Sequence, residues 1–201
     1  DRPLFLEIGF PGPHPPYDPV ERYIQPYMDK ELPILPVTDA EMDAQPDGLK
    51  KLRDTFIERQ PDAVAFDPHA SDERRQRQRA FYLANVTMID EKIGQIMESL
   101  EAKGYLENAV VIFTSDHGDC LGDHGLNQKW SMYDIVTRVP AIVWSPGRFE
   151  AGRTVDDLCQ WFDLGPTILE LAGVEPAPSM EARSLLPLLE GDSDAEGRDF
   201  V

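Results

Sequence analysis

Cysteine is scarce in this chain of 201 residues: Cys120 and Cys159 are too few and too widely spaced for a disulfide framework or a thiolate zinc site. No basic helix start or paired histidine motif marks Cys120 as a low-pKa nucleophile, so it reads as a small packing residue in a loop. Long apolar runs are missing as well. None approaches the roughly 18 residues that cross a bilayer, and the first residues lack the charged, apolar and small-residue regions of a secretory leader. The chain opens at Asp1 and enters an apolar run almost at once, so further residues are expected upstream, and the missing leader carries no weight. Positive charge is in deficit, with 19 Lys and Arg against 37 Asp and Glu and a formal net charge of -18. Long-range repulsion opposes binding to nucleic acid or to an anionic membrane, and neither is expected as a partner. A small anionic ligand would have to be held by a few local cations and a metal ion.

What is present is the composition of an ordinary globular protein, 41% hydrophobic, in a chain long enough for one domain with a substantial core. Pro3 to Phe10 (PLFLEIGF) is a short apolar run ending in Gly and Pro, the pattern of a buried strand giving way to a loop. From Pro11 to Pro36 prolines recur too often for a regular helix, which predicts a long surface excursion. Leu49 to Gln60 fits a short amphipathic helix, and an irregular piece follows through His69. From about Ser71 to Lys103 the apolar residues Leu83, Val86, Ile89, Ile93, Ile96, Met97 and Leu100 step by threes and fours before Gly104, which predicts a long helix. Asn108 to Thr114 (NAVVIFT) has the continuous apolar character of a strand buried on both faces. Ala141 to Trp144 (AIVW), between Pro140 and Pro146, predicts a second core strand. Helices are expected over Asp157 to Ala172, closed by Gly173, and over Ser184 to Glu190. This order argues for an α/β sandwich.

In a parallel α/β sheet the binding crevice lies beyond the carboxyl ends of the strands. The segment that follows NAVVIFT is Ser115-Asp116-His117-Gly118-Asp119-Cys120-Leu121-Gly122-Asp123-His124-Gly125, with three aspartates and two histidines among three glycines. Oxygen and nitrogen donors on so compliant a backbone suit a divalent metal. They equally suit a solvated turn whose carboxylates accept backbone N–H bonds, and spacing alone does not choose between the two.

The string SDHGDCLGDHGLNQKWSMYDIVTRVPAIVWSPGRF, from Ser115 to Phe149, closely resembles the segment of the sulfatase family, within the alkaline-phosphatase superfamily, that follows its metal-binding strand. Three further pieces agree in order: PHPPYDPVERY from Pro13, FYLANVTMIDEKIGQIMESLEAKG from Phe81, and WFDLGPTILELAGVEPAPSMEARSLLPLL from Trp161. The resemblance covers nearly the whole chain and identifies residues 1–201 as a C-terminal portion of a sulfatase-type catalytic domain, with residues 29–71 a variable, substrate-facing insertion. It implies an alkaline-phosphatase-like α/β fold, a three-layer sandwich with a mostly parallel central sheet, of which this chain is part.

The same resemblance assigns roles. Asp116 and His117 match the family's adjacent metal ligands, which with upstream aspartates hold a divalent ion, commonly calcium. An imidazole ligand leaves manganese open. Lys129 matches the lysine that contacts the sulfate and the leaving-group oxygen, where an ammonium offsets developing charge. His14 matches the histidine on the other side of the substrate, and an imidazole there is suited to donate a proton to the departing alkoxide. Asp123 and His124, a second Asp-His-Gly, are expected to order the loop, with Trp130 and Tyr133 packing beneath the site and Arg138 holding the loop by its guanidinium fork. The family's nucleophile is a formylglycine made from Cys or Ser in a C/S-x-P-x-R motif, and these 201 residues contain no such motif. The expected activity is therefore hydrolysis of sulfate esters by the whole protein, with the nucleophile upstream and this segment inactive alone. An Asp-His pair occurs in sulfatases and in phosphonate monoester hydrolases, so phosphonate monoesters or phosphodiesters remain open as substrates. A non-catalytic binder of sulfated ligands is a third reading, disfavoured by the intact Asp116, His117, Lys129 and His14.

Overall fold

The computed structural model describes residues 4–59, 67–192, 195 and 197–199. Backbone contacts divide the chain into two compact units, one built from residues 1–107 and 117–139, the other from residues 108–116 and 140–201.

The first unit is helical. Its longest element is α4, Asp72–Ala102, flanked by α1 (Glu21–Met28), α2 (Asp39–Ala44), α3 (Asp47–Arg59) and the short α5 (Asp134–Thr137). Helix α4 begins where the sequence predicts. The Ser71 hydroxyl accepts the Arg74 N–H, Asp72 and Glu73 place negative charge at the positive end of the helix dipole, and Gly104, at φ +74°, lets the chain turn out of it. Of the predicted stripe, Leu83, Ile89, Ile93, Ile96, Met97 and Leu100 are half-buried and Val86 is exposed, whereas the fully buried positions are Arg75, Ala80, Ala84 and Asn85. Polar burial in the first half of α4 makes it a scaffold for the site.

The proline-rich stretch departs from expectation, because Pro11 to Pro36 contains α1. Pro26 lies inside this helix, where it removes one backbone donor and crowds the preceding turn. Packing on α4 overrides the propensity: Tyr23 is buried, the Tyr27 hydroxyl bonds Thr87 Oγ1 at 2.6 Å, and Arg22 pairs with Glu91 at 3.0 Å. The predicted helix from Leu49 is α3, and its expected last residue, Gln60, lies outside the described residues. The strand predicted from Pro3 to Phe10 is not formed over residues 4–10, and Pro3 lies outside the described residues. Residues 4–10 have no regular structure and are exposed, since a lone apolar run needs a hydrogen-bonding neighbour to become a strand.

In the second unit, β1 (Val111–Thr114) pairs antiparallel with β2 (Ala141–Trp144), in a register that sets Val111 against Trp144 and Thr114 against Ala141. These two form the sheet among the described residues, so the expected mostly parallel sheet is not present there. Nor is NAVVIFT buried on both faces: Phe113 is 41% exposed and Ile142 57%, as follows for a two-stranded ribbon without covering layers. Helix α6 (Leu164–Leu171) starts seven residues later than predicted and follows a 3₁₀ turn at Trp161–Asp163. The Asp163 carboxylate accepts the Gln160 N–H at 2.8 Å and halts the helix there, while Leu158 bridges to Arg198. Asp163 is 1% exposed. Burial opposes its ionisation, but Arg198 and the backbone N–H groups of Arg183 and Gln160 hold its carboxyl below the usual range. Helix α7 (Leu186–Glu190) closes on Gly191. Among the described residues no helix is long and apolar enough to cross a membrane.

Candidate functional site

The loop from His117 to Ser131 is built on close approaches and buried polar bonds. Gly118 lies against α5, its N–H donating to Val136 O at 2.8 Å, and a Cβ there would stand 1.9 Å from the Ile135 carbonyl oxygen. Only glycine fits. Residues 120–128 then close on themselves, the Cys120 N–H reaching Gln128 O at 3.1 Å and the Gly122 N–H reaching Leu126 O at 2.9 Å. Cys120, Leu126 and Val136 form the small apolar core beneath, with Leu49 and Tyr133 packed against it. Burial pushes the Cys120 thiol up to about 11, which is the chemistry of a packing residue and not of a thiolate nucleophile.

Three carboxylates in this region have different tasks. Asp119 is a hub: Oδ1 accepts the N–H groups of Leu121 at 3.0 Å and Gln128 at 2.9 Å, and Oδ2 accepts the Tyr17 hydroxyl at 2.7 Å. Leu121 and Gln128 both have positive φ, 48° and 61°, so these bonds hold a backbone that would not adopt its course unaided. Asp123, 2% exposed, accepts from the guanidinium groups of both Arg75 and Arg79. Glu41 receives His124 Nδ1 at 2.5 Å, and the His124 ring lies parallel to Tyr133 with centroids 3.8 Å apart. Asp123 and His124 thus order the loop from below, as the sequence predicts. Trp130 does not pack underneath. It is 48% exposed and tilts against Phe56 of α3, because the chain reverses at Gln128 and carries residues 129 and 130 outward.

His14 is exposed, and its Nδ1 donates to Pro15 O at 2.7 Å, since a carbonyl can only accept. This leaves Nε2 as the nitrogen able to meet a substrate. His117 has the same local geometry, Nδ1 donating to Gly118 O at 2.8 Å. Lys129 is exposed and directly follows Gln128. Asp116, exposed, is the last residue of its segment in the second unit, and His117 opens the returning segment of the first. Among the described residues no group of three His, Cys, Asp or Glu side chains is arranged to hold a metal ion. By residue type Asp116 and His117 are a carboxylate and an imidazole, oxygen and nitrogen donors of the kind a divalent metal takes.

Sequence reasoning missed Tyr17, Arg75 and Arg79. Burial first, then the charge and hydrogen bond of Asp119, push the Tyr17 hydroxyl well above the ordinary tyrosine range, so it remains a donor. Its signal was position, three residues beyond His14. Arg75 and Arg79 are spaced i,i+4 at the start of α4 and so share one face, a visible pattern whose buried partner was not.

Over its full length the chain superposes on a phosphonate monoester hydrolase of Agrobacterium radiobacter with TM-score 0.81 and 25% identity, covering 40% of that chain. A structure of BT4656 in complex with its substrate D-glucosamine-2-N,6-O-disulfate matches 78% of this chain and 33% of that one, with TM-score 0.59 and 31% identity. These relatives define a class, the hydrolases of the alkaline-phosphatase superfamily. Within it, the sulfatase family model matches residues 1–174, and the chain belongs to the sulfatase family. It is 30% identical over 203 residues to an arylsulfatase of Clostridium perfringens, a match that takes in the whole chain and 40% of that relative. The chain therefore spans about two fifths of the length of the curated sulfatase it matches.

Proposed function

We propose that the chain is the C-terminal portion of a sulfatase-type catalytic domain, its β1–β2 ribbon belonging to the larger, mostly parallel sheet of a three-layer sandwich. The whole protein hydrolyses sulfate esters. The observation that carries this reading is the family match across residues 1–174, with His14, Asp116, His117 and Lys129 all of the residue types the chemistry requires.

In this mechanism Asp116 and His117 would hold a divalent ion, calcium or manganese, together with donors outside this chain. When bound, that ion supplies Lewis-acid stabilisation of charge on the ester oxygens and on the nucleophile, a formylglycine located upstream. Lys129 brings an ammonium to the leaving oxygen and offsets the negative charge that grows there as the S–O bond breaks. His14, held through Nδ1–H by Pro15 O, presents Nε2–H in its imidazolium form as the proton donor to the departing alkoxide, and is left as the neutral ring. Tyr17 and Asp119 tie the turns that carry these two groups.

The first test is activity. The whole protein is expected to turn over an aryl sulfate, and the 201-residue chain alone is expected to turn over none; turnover by the isolated chain would remove the upstream nucleophile from the mechanism. A second reading, hydrolysis of phosphonate monoesters, is favoured by the full-length superposition on the Agrobacterium radiobacter enzyme and by the Asp-His pair. Comparing kcat/KM for an aryl sulfate and an aryl phosphonate ranks the two. The metal assignment has its own readout. His117→Ala in the whole protein is expected to weaken metal affinity by more than the about tenfold to hundredfold that loss of a ligand's hydrogen-bond partner costs, measured by titration with manganese as the probe. Unchanged affinity would remove His117 from the ligand set.

A further inference from the structure

Tyr17 and Asp119 have no part in the chemistry set out above, yet their bond joins two segments that are 102 residues apart in sequence. The phenol reaches Asp119 Oδ2 at 2.7 Å, and its ring is braced edge-on by Tyr82 of α4, with centroids 5.9 Å apart and planes at 72°. The other oxygen of the same carboxylate takes the N–H of Gln128 at 2.9 Å. His14 lies three residues before Tyr17, and Lys129 one residue after Gln128. Three residues span at most about 11 Å of chain and one about 3.8 Å, so the two turns are pinned close to where their functional side chains leave the backbone. Both side chains are exposed and lack the packing that would otherwise fix their separation.

We infer that Tyr17 and Asp119 are positioning residues that hold the His14 turn and the Lys129 turn at one separation, so that proton donor and ammonium meet the same leaving oxygen. The inference rests on the proposed roles of His14 and Lys129. All of its residues lie within the first unit of the chain. A carboxylate suits the junction because its two oxygens accept from two directions at once, whereas a single hydroxyl or amide oxygen would serve only one turn well. Tyrosine suits the other end because its rigid ring carries the donor across the gap with few torsions to freeze.

The consequence is selective. Leaving-group assistance matters most for esters of poorly acidic alcohols and least where the departing anion is already stable. Tyr17→Phe removes one oxygen atom and keeps the ring. In the whole protein it is expected to lower kcat about tenfold or more for phenyl sulfate, at most about threefold for 4-nitrophenyl sulfate, and to leave KM within about twofold for both, because small misplacements of assisting groups cost rate before they cost binding. Thermal stability and manganese affinity are expected to be unchanged. Asp119→Asn, which sets an amide donor against the phenol, is expected to show the same bias and supplies a second comparison if Tyr17→Phe is poorly folded. Equal losses on the two esters, or a loss that follows a fall in Tm, would make the bond merely structural and overturn the inference. No loss on either ester would overturn it as well. A wild-type protein inactive on both sulfates and on an aryl phosphonate would defeat the underlying functional reading instead, a different result from an active wild type with an indifferent Tyr17→Phe.

Discussion

Lys129→Ala in the whole protein is expected to lower kcat for an aryl sulfate about 10² to 10³-fold, the range for removing one preorganised group that stabilises transition-state charge. Lys129 is exposed at the tip of the turn that Asp119 holds, so its loss leaves no buried partner uncompensated and no cavity. Stability should therefore move by less than about 0.5 kcal/mol, as for a surface substitution, and the effect should be almost wholly kinetic. The division between kcat and KM is informative. An ammonium that acts only as charge grows on the leaving oxygen lowers kcat and kcat/KM together, whereas one that holds the sulfate equally in ground and transition states raises KM alone. Steady-state kinetics on one aryl sulfate separates the two, and a change confined to KM would reassign Lys129 to substrate binding.

The second large effect is on stability. Asp123→Ala leaves the guanidinium groups of Arg75 and Arg79 buried without their shared carboxylate. The side chains are 8% and 14% exposed, and that of Asp123 is 3%. Arg75 retains the Leu35 carbonyl oxygen at 2.6 Å and the exposed Asp72 at 3.9 Å, but among the described residues the Nε atoms of both arginines have no hydrogen-bond partner. Breaking a buried pair in this way costs about 3–5 kcal/mol. In the larger whole protein that corresponds to a fall in Tm of roughly 5 °C. Calorimetry on wild type and variant checks it. A change under about 1 kcal/mol would mean that solvent reaches the guanidinium groups and that the network is a surface feature. Asp123→Ala and Tyr17→Phe thus differ in kind, the first expected to reduce stability, the second to reduce rate while Tm stays constant.

Which parts of this molecule were legible in sequence follows from the range of the interactions that make them. Helix α4 announced itself by its period, its Ser71 cap and its Gly104 stop, all contained within the segment. Strand β2 was bounded by its flanking prolines, and β1 is three residues shorter than its apolar run, with Asn108 in a 3₁₀ turn at Tyr105–Asn108 and residues 109–110 irregular. Helix α1 was hidden because Pro26 speaks against it locally, and the forces that impose it come from Thr87 and Glu91, some 60 residues away. The direction of the β1–β2 pair was hidden too, since a connection of 26 residues, 115 to 140, permits either sense.

For the site, the sequence alone determined the inventory: a histidine in a proline-rich turn, an Asp-His pair after a strand, a lysine in a glycine-bounded loop, and the family those residues mark. Tertiary structure alone decided which carboxylate does what. Asp119 and Asp123 have the same side chain four residues apart, yet one gathers two backbone N–H groups and a distant phenol, and the other neutralises two buried arginines. A carboxylate's role is set by the donors that surround it, and beyond the loop's own N–H groups those donors come from α4 and from the turn after His14, at separations in sequence that no local pattern encodes.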